Sequence, residues 1–146
     1  MPGPDTSILH ATAVAVGERA VLIVGASGSG KSSLALEMLA RGGVLVADDR
    51  VILTGSTTGV LLSCPEPLLG LIEARGVGLL HTTHRSPVAL SLVVDMDQTE
   101  SERLPPHRTI TYLSQTFPLL HNVDNRHFTS AILQYLRCSG RADEQP

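Results

Sequence analysis

The chain has 146 residues, 42% of them hydrophobic, which suffices for one core of ordinary size and not for two. A net charge of −3 with both signs scattered, and an aromatic fraction of 3%, supply neither a basic stripe nor a stacking platform, so nucleic acid is not an expected partner. No apolar run reaches membrane-spanning length, and Met1-Pro2-Gly3-Pro4-Asp5 lacks the regions of a signal peptide. A cytoplasmic protein with no membrane partner is expected, and in that compartment the isolated Cys64 and Cys138 read as inert thiols.

The first predicted elements are strands over 8–16 and 20–24, joined by a tight turn at Gly17-Glu18. Counting outward from Val16 opposite Arg19 brings His10 opposite Gly25. A lone histidine is usually structural or simply exposed, and the register alone separates His10 from His81, His84, His107, His121 and His127. The strand over 20–24 runs into Gly25-Ala26-Ser27-Gly28-Ser29-Gly30-Lys31-Ser32, a full G-x-x-x-x-G-K-[ST] phosphate loop. Small residues let backbone N–H groups surround phosphate oxygens, Lys31 can reach the β/γ-phosphates, and the Ser32 hydroxyl can ligate Mg²⁺. Lys31 and Ser32 are expected to face solvent in the empty loop.

Leu34/Met38 and Ala35/Leu39 then mark a helix over 31–40, stopped by Gly42, with a parallel strand to follow at 44–47. Asp48-Asp49 stand at its carboxyl end, the edge where open α/β sheets place ligands. Neighbours at a strand end point to opposite sides, so one acid is expected to react, and Asp48 is the choice. Segments 51–53 and 60–62 flank a hairpin loop at 55–59, and Pro65-Glu66-Pro67 breaks the chain before an apolar run at 68–72. The stretch 73–78 reads as a solvated loop able to cover a nucleotide. A strand over 88–94, bounded by Pro87 and the polar 97–108, ends in Asp95, a competing metal-binding acid. Last comes a helix whose face carries Phe128, Ile132 and Tyr135 after a cap at Asp124 or Asn125, suited to core or oligomer contact.

The ordered set of His10, the phosphate loop, Val46-Ala47-Asp48-Asp49 and Glu73-Ala74-Arg75-Gly76-Val77-Gly78-Leu79 resembles the catalytic domain of bacterial HPr kinase/phosphorylase, roughly over residues 8–122. The resemblance implies an α/β fold, a P-loop-containing mixed sheet with flanking helices like that of phosphoenolpyruvate carboxykinase, as one domain over 1–146 with flexible ends at 1–7 and 139–146. It implies catalytic positions at His10, Lys31, Asp48 and, within Glu102-Arg103-Leu104-Pro105, Arg103. Ser32 and Glu73 take the Mg²⁺ positions, and Gly25, Ala26, Ser27, Gly28, Ser29, Gly30, Lys31 and Ser32 bind ATP. The implied partner is an HPr-like phosphocarrier protein, and the implied assembly a homo-oligomer, hexameric in the family.

The chain resembles a short alphaproteobacterial form, which lacks the family's N-terminal domain. Its 117–122 segment lacks the arginine- and glycine-rich loop associated with dephosphorylation, so reverse phosphorylase activity is expected to be weak. In this reading Asp48 accepts the seryl proton, His10 orients Asp48, and Arg103 stabilises the transition state. A small-molecule kinase or nucleotide hydrolase using Asp95, and a non-catalytic nucleotide-binding regulator, are the alternatives.

Overall fold

The computed structural model describes residues 5–138. Its first elements are β1 (Thr6–Leu9), β2 (Thr12–Val16) and β3 (Arg19–Val24). Gly17, in the left-handed region at φ 63, turns β2 into β3 with Val16 opposite Arg19, the expected register. The single strand expected over 8–16 is instead broken at His10. The physical reason is burial: β2 is covered throughout and reads Thr-Ala-Val-Ala-Val, whereas β1 is a half-exposed edge strand with Ile8 60% exposed. Thr6 and Ser7, expected in a flexible tail, pair with Thr54 and Leu53. Residues 1–4 and 139–146 lie outside the described residues.

Helix α1 (Lys31–Leu39) follows the phosphate loop, and Gly42 at φ 103 closes it where the sequence placed the stop. β4 (Val44–Ala47) is not the neighbour of β3 that a simple crossover predicts. It runs in the direction of β3 but pairs antiparallel with β2, which lies between them. β5 (Val51–Ser56) and β6 (Gly59–Ser63) form a longer hairpin than expected, turning at Thr57-Thr58.

After a short 3-10 turn at Glu66–Leu68, β7 (Leu71–Ala74) and β8 (Gly78–His81) pair as a separate two-stranded sheet, so the segment expected to be a loop is an ordered hairpin. β9 (Val88–Thr99) has β3 along one edge and β6 and then β11 (Gln115–Asn122) along the other, and it runs past its expected end because β11 pairs with it as far as Asn122 opposite Thr99. β10 (Arg108–Tyr112) completes a hairpin with β11, and α2 (Phe128–Cys138) follows, its start held by Asn125 Oδ1 accepting from His127 N at 3.0 Å. The 117–122 segment is thus sheet.

Alternation along β2 and β3 divides the core. Val14, Val16, Val21 and Ile23 face Leu34 and Met38 of α1 and Ile132 and Leu136 of α2. Ala13, Ala15 and Ala20, on the other face with Leu22, pack against Val51, Leu53, Val60 and Leu62, so small side chains stand where the β5–β6 end of the nine-stranded sheet curls back. Truncating the fully buried Ile132 to Ala removes the α2 anchor at a cost of about 2–5 kcal/mol. The architecture is the expected mixed sheet with flanking helices, both on one face.

Candidate active site

A cleft of about 410 Å³ opens at the carboxyl ends of β3 and β4. The phosphate loop forms one wall. Gly25 has φ 148, and a Cβ there would stand 2.6 Å from Ser29 Oγ, so a side chain would displace Ser29 as well as strain the backbone. Gly30, at φ 101, begins α1 with no side-chain cap and no acid in the first turn, which leaves the first N–H groups of the helix for an anion. Lys31 Nζ donates to Gly25 O at 2.7 Å and Ala26 O at 3.0 Å.

Lys31 is 8% exposed, and the expectation that it faces solvent is corrected: carbonyls at the loop entrance take up its ammonium protons. Ser27, Gly28, Gly30, Lys31 and Ser32 line the cleft, while Gly25, Ala26 and Ser29 do not. The Ala26 N–H is instead held by both carboxylate oxygens of Asp97, at 3.0 Å each, and the Ser29 hydroxyl is buried.

The two adjacent aspartates share the cleft but not their environment. Asp48 is 6% exposed; its Oδ1 accepts from Thr12 Oγ1 and from Ser32 Oγ, both at 2.8 Å, and its Oδ2 accepts from Glu73 N at 3.0 Å. Asp49 lies in the left-handed region at φ 76, which breaks the strand alternation and explains why both acids line the cleft instead of opposite sides. Its carboxylate accepts from His10 Nε2 at 2.7 Å and stands 3.8 Å from Arg50 Nε. The pairing expected between His10 and Asp48 is therefore corrected to His10 and Asp49.

The opposite wall is the β7–β8 hairpin with Glu73, Arg75 and Leu79, joined by Leu68 and Leu71. Arg103 is exposed on the 100–107 connection and does not line the cleft. The base of that connection is pinned elsewhere: Arg108 Nε and Nη2 donate to the two Glu100 oxygens at 3.2 and 3.0 Å. These bonds hold the Glu100 carboxyl below the usual carboxylate range. Asp95, the competing acid, sits beside Val24 and accepts from Asp97 N at 2.9 Å, outside the cleft lining.

Burial, with the Asp48 charge second, pushes the Cys64 thiol up, which suits an inert cysteine behind the floor. Sequence reasoning missed Thr12, and named Arg75 within the 73–79 motif without giving it a role. The signal for Thr12 was a hydroxyl at the head of an alanine-valine strand, a group that burial obliges to find a partner.

A family model of the HPr serine kinase C-terminal domain matches residues 4–107. The curated HPr kinase/phosphorylase of Bordetella pertussis is 42% identical over 112 residues, covering 68% of this chain and 36% of the relative. That of Xylella fastidiosa strain M12 is 48% identical over 77 residues, 52% of this chain and 24% of the relative. The chain thus spans about a third of the length of the Bordetella relatives it matches, 36%. Among solved structures, the HPr(Ser) kinase/phosphatase from Coxiella burnetii matches with a TM-score of 0.76 over 90% of this chain and 88% of that one, at 23% identity, which establishes a shared fold.

Proposed function

This chain belongs to the HPr serine kinase C-terminal domain family, and from that premise we propose that it is an ATP- and Mg²⁺-dependent protein serine kinase acting on an HPr-like phosphocarrier protein. The observation that carries the reading is the buried Asp48 carboxylate, oriented by three donors beside Ser32 and in one cleft with Lys31. Lys31 exchanges its carbonyl partners for phosphate oxygens, and the uncapped start of α1 supplies further N–H donors. Asp48 accepts the proton of the attacking seryl hydroxyl.

Ser32 Oγ, Asp48 and Glu73 offer hard oxygen donors to one cleft, and among the described residues no three His, Cys, Asp or Glu side chains form a closed metal cage. That donor set fits Mg²⁺, which keeps waters and phosphate oxygens in its shell, and Ser32 and Glu73 are the residues we assign to hold it. Bound there, the ion supplies charge neutralisation on the transferring phosphoryl group. His10 and Asp49 stand at the mouth, where the incoming protein meets the cleft. Arg75 is the guanidinium the cleft itself offers; Arg103 acts only if the 100–107 connection moves inward. A cytoplasmic location, a hexameric homo-oligomer and weak reverse activity accompany this reading.

A hydrolase or small-molecule kinase using Asp95 is disfavoured by the Asp95 bond to Asp97 N, which engages that acid within β9 and outside the cleft lining. Incubation with radiolabelled ATP, Mg²⁺ and a purified HPr-like protein tests the proposal. Label on a seryl residue of the carrier is the expected result. Phosphate release alone, label on a metabolite, or binding without turnover would each replace it with one of the alternatives.

A further inference from the structure

The phosphate loop is costly to order by itself. A glycine-rich turn loses much conformational freedom on folding, and this one also buries the Ser29 hydroxyl with no hydrogen-bond partner among the described residues. An anchor reaches it from β9. β3 leaves the sheet ladder at Val24 opposite Asp95, while β9 continues and carries Asp97 alongside the loop. There both Asp97 carboxylate oxygens accept from Ala26 N, at 3.0 Å each, and the Asp97 N–H is itself held by Asp95 Oδ1 at 2.9 Å.

The Ala26 residue is thus gripped at both of its backbone groups. Its carbonyl accepts from Ser29 N and Lys31 Nζ, at 3.0 Å each, and its N–H is taken by Asp97. The two holds respond differently to a nucleotide. Lys31 turns to phosphate oxygens in the proposed reading, whereas Asp97 stands outside the cleft lining and keeps its partner. From this we infer that Asp97 is a positioning residue for nucleotide binding, which holds the Ala26 N–H from behind the loop and keeps the empty loop in the shape that receives phosphate. A site ordered beforehand binds more tightly, because its ligand does not bear the cost of ordering it. Asp97 touches neither phosphate nor metal in this role. The inference rests on the reading of the loop as a nucleotide site, and not on the identity of the phosphate acceptor.

The test compares Asp97→Ala, which removes the acceptor, with Asp97→Asn, whose amide oxygen still accepts from Ala26 N. Titration with ADP, with and without Mg²⁺, needs no turnover. The bond is exposed to solvent, so its loss predicts a dissociation constant raised roughly three- to tenfold in Asp97→Ala, by the same factor in both conditions. Asp97→Asn should stay close to the parent protein. In carrier phosphorylation the loss should appear in KM for ATP, with kcat at saturation retained.

Unchanged or tighter ADP binding by Asp97→Ala overturns the inference, the second because it would make Asp97 a charge that repels phosphate. A loss seen only with Mg²⁺ would make Asp97 a metal ligand, and an equal loss in Asp97→Asn would make its charge the active feature; either result overturns it as well. Amide hydrogen exchange in the nucleotide-free protein reads the bond itself. Ala26 N–H should be protected in the parent and in Asp97→Asn and exchange faster in Asp97→Ala, and equal exchange in all three contradicts the anchor. If the parent binds ADP and labels no carrier, the kinase reading fails while these measurements still decide Asp97.

Discussion

The floor and the rim of the cleft contain the same chemical groups in opposite states. On the floor Asp48 and Lys31 are buried at 6% and 8% exposure, and side-chain and backbone partners fix both. At the rim the Asp49 and His10 side chains are 55% and 64% exposed and hold each other, and the β7–β8 hairpin shows Val77 and Leu79 to solvent. Asp48 and Asp49 are adjacent, and what divides them is one left-handed residue. Buried charge with several donors keeps one geometry, which chemistry requires. An exposed ion pair is worth about 0–1 kcal/mol and gives way readily to an arriving protein surface.

The largest expected effect separates the two acids. Asp48→Asn should lower carrier phosphorylation by about 10²–10⁴-fold with MgATP still bound, because the amide keeps the shape and cannot take the seryl proton. Asp49→Asn should cost much less. Steady-state kinetics in which the two effects are reversed would break the comparison.

Lys31→Ala comes next. It should abolish nucleotide binding, as a loop lysine must, and also lower stability by about 1–3 kcal/mol, because two carbonyls lose a charged donor in a covered site. Denaturant unfolding without nucleotide reads the second effect directly, and an unchanged midpoint would put Lys31 at the solvated rim. Glu73→Gln should raise the Mg²⁺ concentration at half-maximal activity while metal-free nucleotide binding survives. A Mg²⁺ titration with an unmoved midpoint removes Glu73 from the metal site.

The smallest effect lies away from the cleft and serves as its control. Arg108 holds the Glu100 carboxyl below its usual range, so the pair stabilises the folded chain above the ordinary carboxylate pKa, and that stability is lost as pH falls through the lower folded value. Glu100→Gln should therefore be less stable than the parent at neutral pH, with the gap closing in acid, and should leave kcat unaltered. Urea unfolding across that range measures it.

Much of this was legible in the sequence because it depends on local chemistry. The phosphate loop, the Gly17 turn and its register, the stop at Gly42 and the position of Asp48 all follow from glycine placement and apolar spacing. What remained hidden depends on choices made in space. The partner of His10 was misassigned because it follows from the φ of Asp49, which strand alternation does not encode. β9 outran its expected end at residue 94 because β11 pairs with it out to Thr99, and the β7–β8 hairpin looked like a loop because its glycines and charges suggest one. Arg103 matched a motif, yet the Glu100 and Arg108 pair sets where its connection begins and ends.

The central claim is that the floor of the cleft transfers phosphate to a protein serine through Asp48. Its most direct measurement places the parent chain and Asp48→Asn side by side with radiolabelled ATP, Mg²⁺ and an HPr-like carrier, followed by phosphoamino-acid analysis. The account predicts phosphoserine on the carrier from the parent and a trace from the variant, with equal nucleotide binding in both. Equal labelling by the two, or label that never reaches the carrier, would contradict it.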